Sequence, residues 1–224
     1  MTSPRLGRRS FMLGAASLSA LALAGCASGS RRIAAVPVDP RASIPPDVLA
    51  MYGAMPEEQF PIPAARIELV DPMYWRQEVA DPTGERPGTV VVDTANRFLY
   101  HVAEGGRAMR YGVGIGRDGF SWSGRARIAY KRKWPTWTPP AEMIAREPYL
   151  EPYRRGMPPG IENPLGARAL YIFEGGRDTI YRLHGNPDER SIGQAVSSGC
   201  VRLLNQDVID LYNRVKDGSP ILVA

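Results

Sequence analysis

The 224-residue chain is 44% hydrophobic and 23% charged, enough for one substantial globular domain with extensions but not for two large ones. Its formal charge of +5 includes Arg5, Arg8 and Arg9 from a segment read below as cleaved, which leaves 5 − 3 = +2. Basic residues are scattered rather than grouped with aromatics, so nucleic acid is excluded as an expected partner. With only Cys26, Cys200, His101 and His184 of their kinds, no cysteine–histidine metal cluster is possible, and neither metal nor cofactor is expected.

In chain order, the first element is an address. Arg8-Arg9 precede an apolar run from Phe11 to Ala24 that is too short, and too rich in Ala and Ser, to span a membrane. Arg8–Met12 (RRSFM) resembles a twin-arginine export signal, and Leu23-Ala24-Gly25-Cys26 resembles a bacterial lipobox. Residues 1–25 are therefore expected to be a signal peptide, with a diacylglyceryl group on Cys26 anchoring the mature chain at the cell envelope, facing the periplasm or wall. An ordinary secretory signal with an incidental cysteine is the alternative. If Cys26 is acylated, no second cysteine remains to form a disulfide with Cys200. A thiol kept reduced in an oxidising compartment is a liability unless its reactivity is used.

Residues 26–63 read as a proline-punctuated tether with one short helix over Asp47–Tyr52. Residues 64–88, carrying Tyr74, Trp75 and Val79, read as a lead-in packed on the edge of a domain spanning 64–224. From Thr89 the texture is of strands. The segments 89–93 and 97–102 suggest a hairpin, followed by strands over 107–116 and 125–132. A short helix is expected over 139–147 and a second hairpin over 169–185. Residues 205–218 form the one clear amphipathic helix, with Val208, Ile209, Leu211, Tyr212 and Val215 on its apolar face and Gly218 closing it. A last strand covers 220–224. Together with 21 prolines and 23 glycines, this pattern predicts a mainly β fold, a β-sandwich or barrel-like sheet pair with one or two short helices.

The chemistry concentrates between Leu183 and Asn205. Alternation along residues 179–185 puts Tyr181 and Leu183 on one face of a strand and Arg182 and His184 on the other. If residues 199–204 are extended, Cys200 and Arg202 share the face opposite Val201 and Leu203. A thiol attacks carbonyls as thiolate, so Cys200 needs a base, and His184 is the candidate. The N–H groups of Gly199 and Cys200 could form an oxyanion hole, with glycine at 199 allowing close approach. A buried cysteine and a hydrogen-bonded strand histidine would look the same at this level. His101 reads as a solvent-facing strand histidine. Trp134 and Trp137, with Pro135, Pro139 and Pro140, line a groove or pack a rigid turn. Asn186 and Ser191 read as loop-holding residues.

The stretch also resembles a known family. His184-Gly185, a variable loop, and then Ser197-Ser198-Gly199-Cys200-Val201-Arg202 are similar to the HG…SxGCxR signature of the L,D-transpeptidase (YkuD-like) catalytic domain. The likeness extends over roughly residues 66–224, including the hairpin after Gly88 and Asn163–Tyr171 (NPLGARALY) before the His184 strand. It implies the β fold of that family and an acyl transfer on peptidoglycan stem peptides. Cys200 would be nucleophile, His184 acid/base, Gly199 and Cys200 oxyanion donors, and Arg202 the carboxylate contact, with Ser197 and Ser198 beside the substrate. Some members carry histidine where this chain has Ser198. The group that orients His184, a main-chain carbonyl or Ser197, stays open. The resemblance also implies carbapenem sensitivity. It leaves the acceptor open among a diaminopimelate amine, a protein lysine and water, and a non-catalytic wall-binding lipoprotein on the same fold is the non-enzymatic alternative.

Overall fold

The computed structural model describes residues 39–116, 122–197 and 199–224, with only the backbone for Val196 and Ser197. Eleven strands form among them: β1 Gln77–Ala80, β2 Val90–Asp93, β3 Phe98–Val102, β4 Arg107–Gly112, β5 Ile115–Gly116, β6 Gly124–Lys133, β7 Arg168–Glu174, β8 Arg177–Asn186, β9 Ala195–Ser197, β10 Val201–Leu204 and β11 Pro220–Val223. Three short helices join them: α1 Pro46–Met51, α2 Ala141–Arg146 and α3 Asn205–Arg214. The fold is mainly β, as expected. Its sheets are unequal, one mixed sheet of nine strands in the order β1-β4-β3-β2-β11-β6-β7-β8-β10 and a two-stranded ribbon, β5-β9.

Alternation explains how the large sheet packs. Val90 and Val92 of β2, Leu99 of β3, Ile128 of β6, Leu170 and Ile172 of β7, Leu183 of β8, and Val201 and Leu203 of β10 enter one core with Val208, Leu211 and Val215 of α3 and its C-cap. The opposite face of β2 and β3 supplies Val91, Phe98, Tyr100 and Val102 to a second cluster with Ala108. Burial of these side chains, each contributing about 1.5–3 kcal/mol, holds the sheet together. Two pairings of the large sheet are parallel, β11 with β2 and β10 with β8. The second sets the candidate site, because its register puts Arg202 beside His184.

The tether expected over 26–63 is corrected from Asp39 onward, since residues 39–224 form one compact unit. Ile44, Tyr52, Ala65, Ile67 and Val70 pack with Ile192 and Leu204. Tyr52 is fully buried; its hydroxyl accepts the Arg76 N–H at 2.7 Å and donates to Asp207 at 3.3 Å. The Gln206 amide donates to the Gly53 and Pro63 carbonyls at 3.2 and 3.1 Å. Glu58 accepts both Arg168 at 2.5 Å and the Trp134 indole at 3.0 Å. The stretch is a packed strap rather than a spacer. Residues 1–38, with the expected signal segment and Cys26, lie outside the described residues.

Candidate active site

His184 lies near the end of β8, between Ala169 of β7 and Arg202 of β10. Being flanked by strands on both sides buries it, 5% exposed, although it sits on the face opposite Leu183 and the main core. Its Nδ1 lies 2.7 Å from the Gly185 carbonyl oxygen. A carbonyl only accepts, so the bond requires the proton on Nδ1 and leaves Nε2 with a basic lone pair. A main-chain carbonyl thus orients the ring, one of the two candidates left open by the sequence. Burial pushes His184 down to about 4; the Gly185 and Pro164 carbonyls pull the other way, and the Arg202 and Arg182 charges add to the fall. The imidazole is neutral at pH 7 and available as a base.

Cys200 directly precedes β10, so the β8–β10 pairing brings a residue 16 positions away in sequence (200 − 184 = 16) to the His184 end of the sheet. The side chain is half-buried. Burial pushes its thiol above the ordinary value, opposed by the Arg182 backbone and by the Arg182 and Arg202 guanidinium charges. Gly199 has φ +125°, a conformation other residues rarely adopt, and a Cβ there would come within 3.2 Å of the Tyr181 ring. Gly185 is equally constrained: a Cβ would sit 2.3 Å from Asn205 Oδ1.

One cleft of about 820 Å³ takes in Cys200, His184, Arg202, Arg182, Trp137 and Tyr181, within the usual size range of ligand-binding clefts. Arg202 opens onto it, while its buried neighbours Val201 and Leu203 face the core, as alternation predicts. Asp207, the acidic residue nearest in sequence, is engaged by Arg76 and Tyr52. The structure thus brings His184, Cys200, Gly199 and Arg202 to one place. Ser197 lies in β9, its backbone paired with Gly116 of β5, and Ser198 lies outside the described residues.

The two tryptophans separate. Trp137 lines the cleft, but Trp134 is buried against Phe60 with ring centroids 5.0 Å apart. Asn186 and Ser191 do hold the loop: Asn186 Nδ2 donates to Ser191 Oγ at 2.8 Å, which donates to the Asp188 carbonyl at 2.7 Å. His101 sits half-buried on β3, outside the cleft lining, and burial lowers its pKa.

Sequence reasoning missed Asn163 and Asn205. Asn163 is 1% exposed; its Nδ2 reaches the Pro135, Met157 and Pro158 carbonyls, and its Oδ1 accepts the Leu165 N–H at 2.9 Å. It thereby fixes the turn that brings Pro164 to His184. Asn205 Oδ1 accepts the Ala167 N–H at 2.9 Å and backs Gly185. Among the described residues no group of three or more His, Cys, Asp or Glu side chains could hold a metal ion.

Residues 87–223 match the family model of the L,D-transpeptidase catalytic domain. The chain belongs to that family. It is 36% identical over 138 residues to the Probable L,D-transpeptidase YbiS of Escherichia coli K12, covering 59% of this chain and 43% of that protein. It is 31% identical over 184 residues to the Probable L,D-transpeptidase YcfS of the same strain, covering 77% of this chain and 53% of that protein. The chain thus spans about half the length of these curated relatives. A solved structure from Brucella melitensis, described as a Probable carnitine operon oxidoreductase, is 44% identical, covers 69% of this chain and 96% of its own, and has a TM-score of 0.49.

Proposed function

We propose that the protein is a cysteine-dependent L,D-transpeptidase acting on peptidoglycan tetrapeptide stems. Cys200 Sγ attacks the carbonyl of the diamino acid at stem position three while its proton passes to His184 Nε2. The N–H groups of Gly199 and Cys200 stabilise the tetrahedral oxyanion. Collapse breaks the amide bond to position four. His184 returns the proton to the departing D-Ala amine, and a thioester remains on Cys200. The side-chain amine of a neighbouring stem then attacks the thioester and gives its proton to His184. The sulfur leaves and is reprotonated, and a 3–3 cross-link has formed. Arg202 holds a stem carboxylate with two parallel hydrogen bonds, and Ser197 and Ser198 flank the bound donor. The substrate lies outside the cytoplasm, and the lipobox-like Leu23–Cys26 supports export and a lipid anchor on Cys26.

The observation that carries this reading is the sharing of one cleft by Cys200, Arg202 and a His184 whose Nδ1–carbonyl bond leaves Nε2 basic. Family membership supports it. The test is mass analysis of muropeptides after incubating the soluble domain with disaccharide tetrapeptides. D-Ala release with a 3–3 linked dimer is expected. D-Ala release with tripeptide alone would make water the acceptor, and no release at all would overturn the reading.

A further inference from the structure

Ile180 combines three properties that do not normally coincide. It is β-branched yet has φ +69°, in the left-handed region that such side chains avoid. It is 75% exposed, the most exposed large hydrophobic side chain among the described residues. It also lines the Cys200–His184 cleft. Core packing accounts for none of this, because the side chain is outside the core and its backbone is strained.

The surroundings impose the strain. The pairing of β7 with β8 slips between Tyr171 and Phe173, opposite this segment. Asp178 Oδ1 accepts the Ile180 N–H at 2.8 Å and Arg182 at 2.7 Å, while Asp178 Oδ2 accepts Arg182 at 2.7 Å. The Arg182 guanidinium lies 4.3 Å from the centre of the Tyr171 ring. Thr179 Oγ1 donates to the Ile172 carbonyl at 2.7 Å. An ion pair, a ring contact and a side-chain bond therefore hold a bulge whose effect is to push one aliphatic side chain into the mouth of the cleft. Strain held in place by its surroundings clusters at functional sites, and of the positive-φ non-glycine residues described, Arg97, Trp134 and Ile180, Ile180 is the one in the cleft lining. Tyr149, 71% exposed, joins the same lining from the turn after α2. Its hydroxyl is fixed by the Glu147 carboxylate at 2.5 Å.

We infer that Ile180 is a specificity-determining residue that, with Tyr149, contacts the donor outside the attacked bond, against the methyl and methylene surface of the stem peptide. The inference rests on the function proposed above. It assigns the apolar part of donor recognition to the cleft mouth.

The strain gives the test an unusual sign. Gly and Asn tolerate positive φ, so Ile180→Gly and Ile180→Asn remove the contact without harming the fold. Both variants should melt no lower than wild type. Both should lose about tenfold in kcat/KM for the disaccharide tetrapeptide, carried by KM, as expected for one lost aliphatic contact. Ile180→Val keeps the apolar surface and should stay within about twofold of wild type. Donor binding measured by calorimetry on a Cys200→Ala background should weaken by the same tenfold. Unchanged kcat/KM and affinity in the Gly and Asn variants would overturn the inference, and so would a melting temperature lowered by several degrees in both. If the wild type turns over no donor, the proposed function fails, while the calorimetric series still decides whether Ile180 binds stem peptide.

Discussion

Acidification should leave Cys200 chemistry intact well below the pH at which an ordinary histidine ceases to be a base. Burial holds His184 down to about 4 and holds the Cys200 thiol above its ordinary 9. Moving the proton from sulfur to imidazole in the resting protein is therefore uphill, because burial disfavours both the thiolate and the imidazolium. A preformed thiolate–imidazolium pair is disfavoured at the same time on both partners. The proton must instead leave as the carbon–sulfur bond forms, with neutral His184 as general base. At pH 5.5 a base titrating near 4 is ~97% neutral, whereas one at 6.5 is ~9% neutral. The assay is the rate of covalent acylation by a carbapenem, read by mass spectrometry across pH. It should be flat from about pH 5 to 8, with its acid limb near 4. Alkylation by iodoacetamide should be slow at neutrality and still rising beyond pH 8. An acylation limb at 6.5, or an alkylation plateau between pH 5 and 8, would refute the reasoning.

Arg202→Lys should lower kcat/KM for tetrapeptide donor by roughly 30- to 150-fold, the equivalent of about 2–3 kcal/mol of carboxylate contact, with melting almost unchanged; a variant that melts several degrees lower at full activity would make Arg202 structural. Asp207 is buried, and burial raises its carboxyl from 3.8 to about 7 against the pull of Arg76. Its folded pKa exceeds the unfolded one, so its contribution to stability is complete below 3.8 and is lost as pH rises through 7, at up to about 1.4 kcal/mol per pH unit. Asp210 and Glu189, with lowered pKa values, contribute the opposite slope. The reading is therefore the difference between wild type and Asp207→Asn in denaturant unfolding from pH 4 to 7, and parallel pH curves for the two would contradict it. Cys26→Ser should shift the protein out of the membrane fraction and remove incorporation of labelled fatty acid; equal label on the variant would rule out the anchor.

Much of the site was legible because alternation is a local property. Arg182 and His184 on one face of β8, and Val201 and Leu203 opposite Cys200 and Arg202, follow from period-two spacing alone. The parallel pairing of β10 with β8 was not legible, because nothing local encodes which strand a segment meets after a loop. The strap over 39–63 was misread for a related reason. Its prolines resemble a tether, while the burial of its few anchors, Ile44, Tyr52 and Ile62, is completed by residues distant in sequence such as Leu204 and Ile209. Asn163 looks like an ordinary turn residue and Asn205 like an ordinary helix start until the backbone groups around them are known. Ile180 is the furthest from sequence reach, since a β-branched residue in a strand pattern predicts the reverse of its observed φ.

The central claim is a thioester on one named sulfur. The most direct measurement is the intact mass of the soluble domain trapped within seconds of mixing with disaccharide tetrapeptide, followed by peptide mapping. The expected product is a protein heavier by the donor minus D-Ala, with the adduct on the peptide containing Cys200, and no adduct in Cys200→Ala. An adduct of the same mass on Cys200→Ala, or D-Ala release by that variant at wild-type rate, would contradict it.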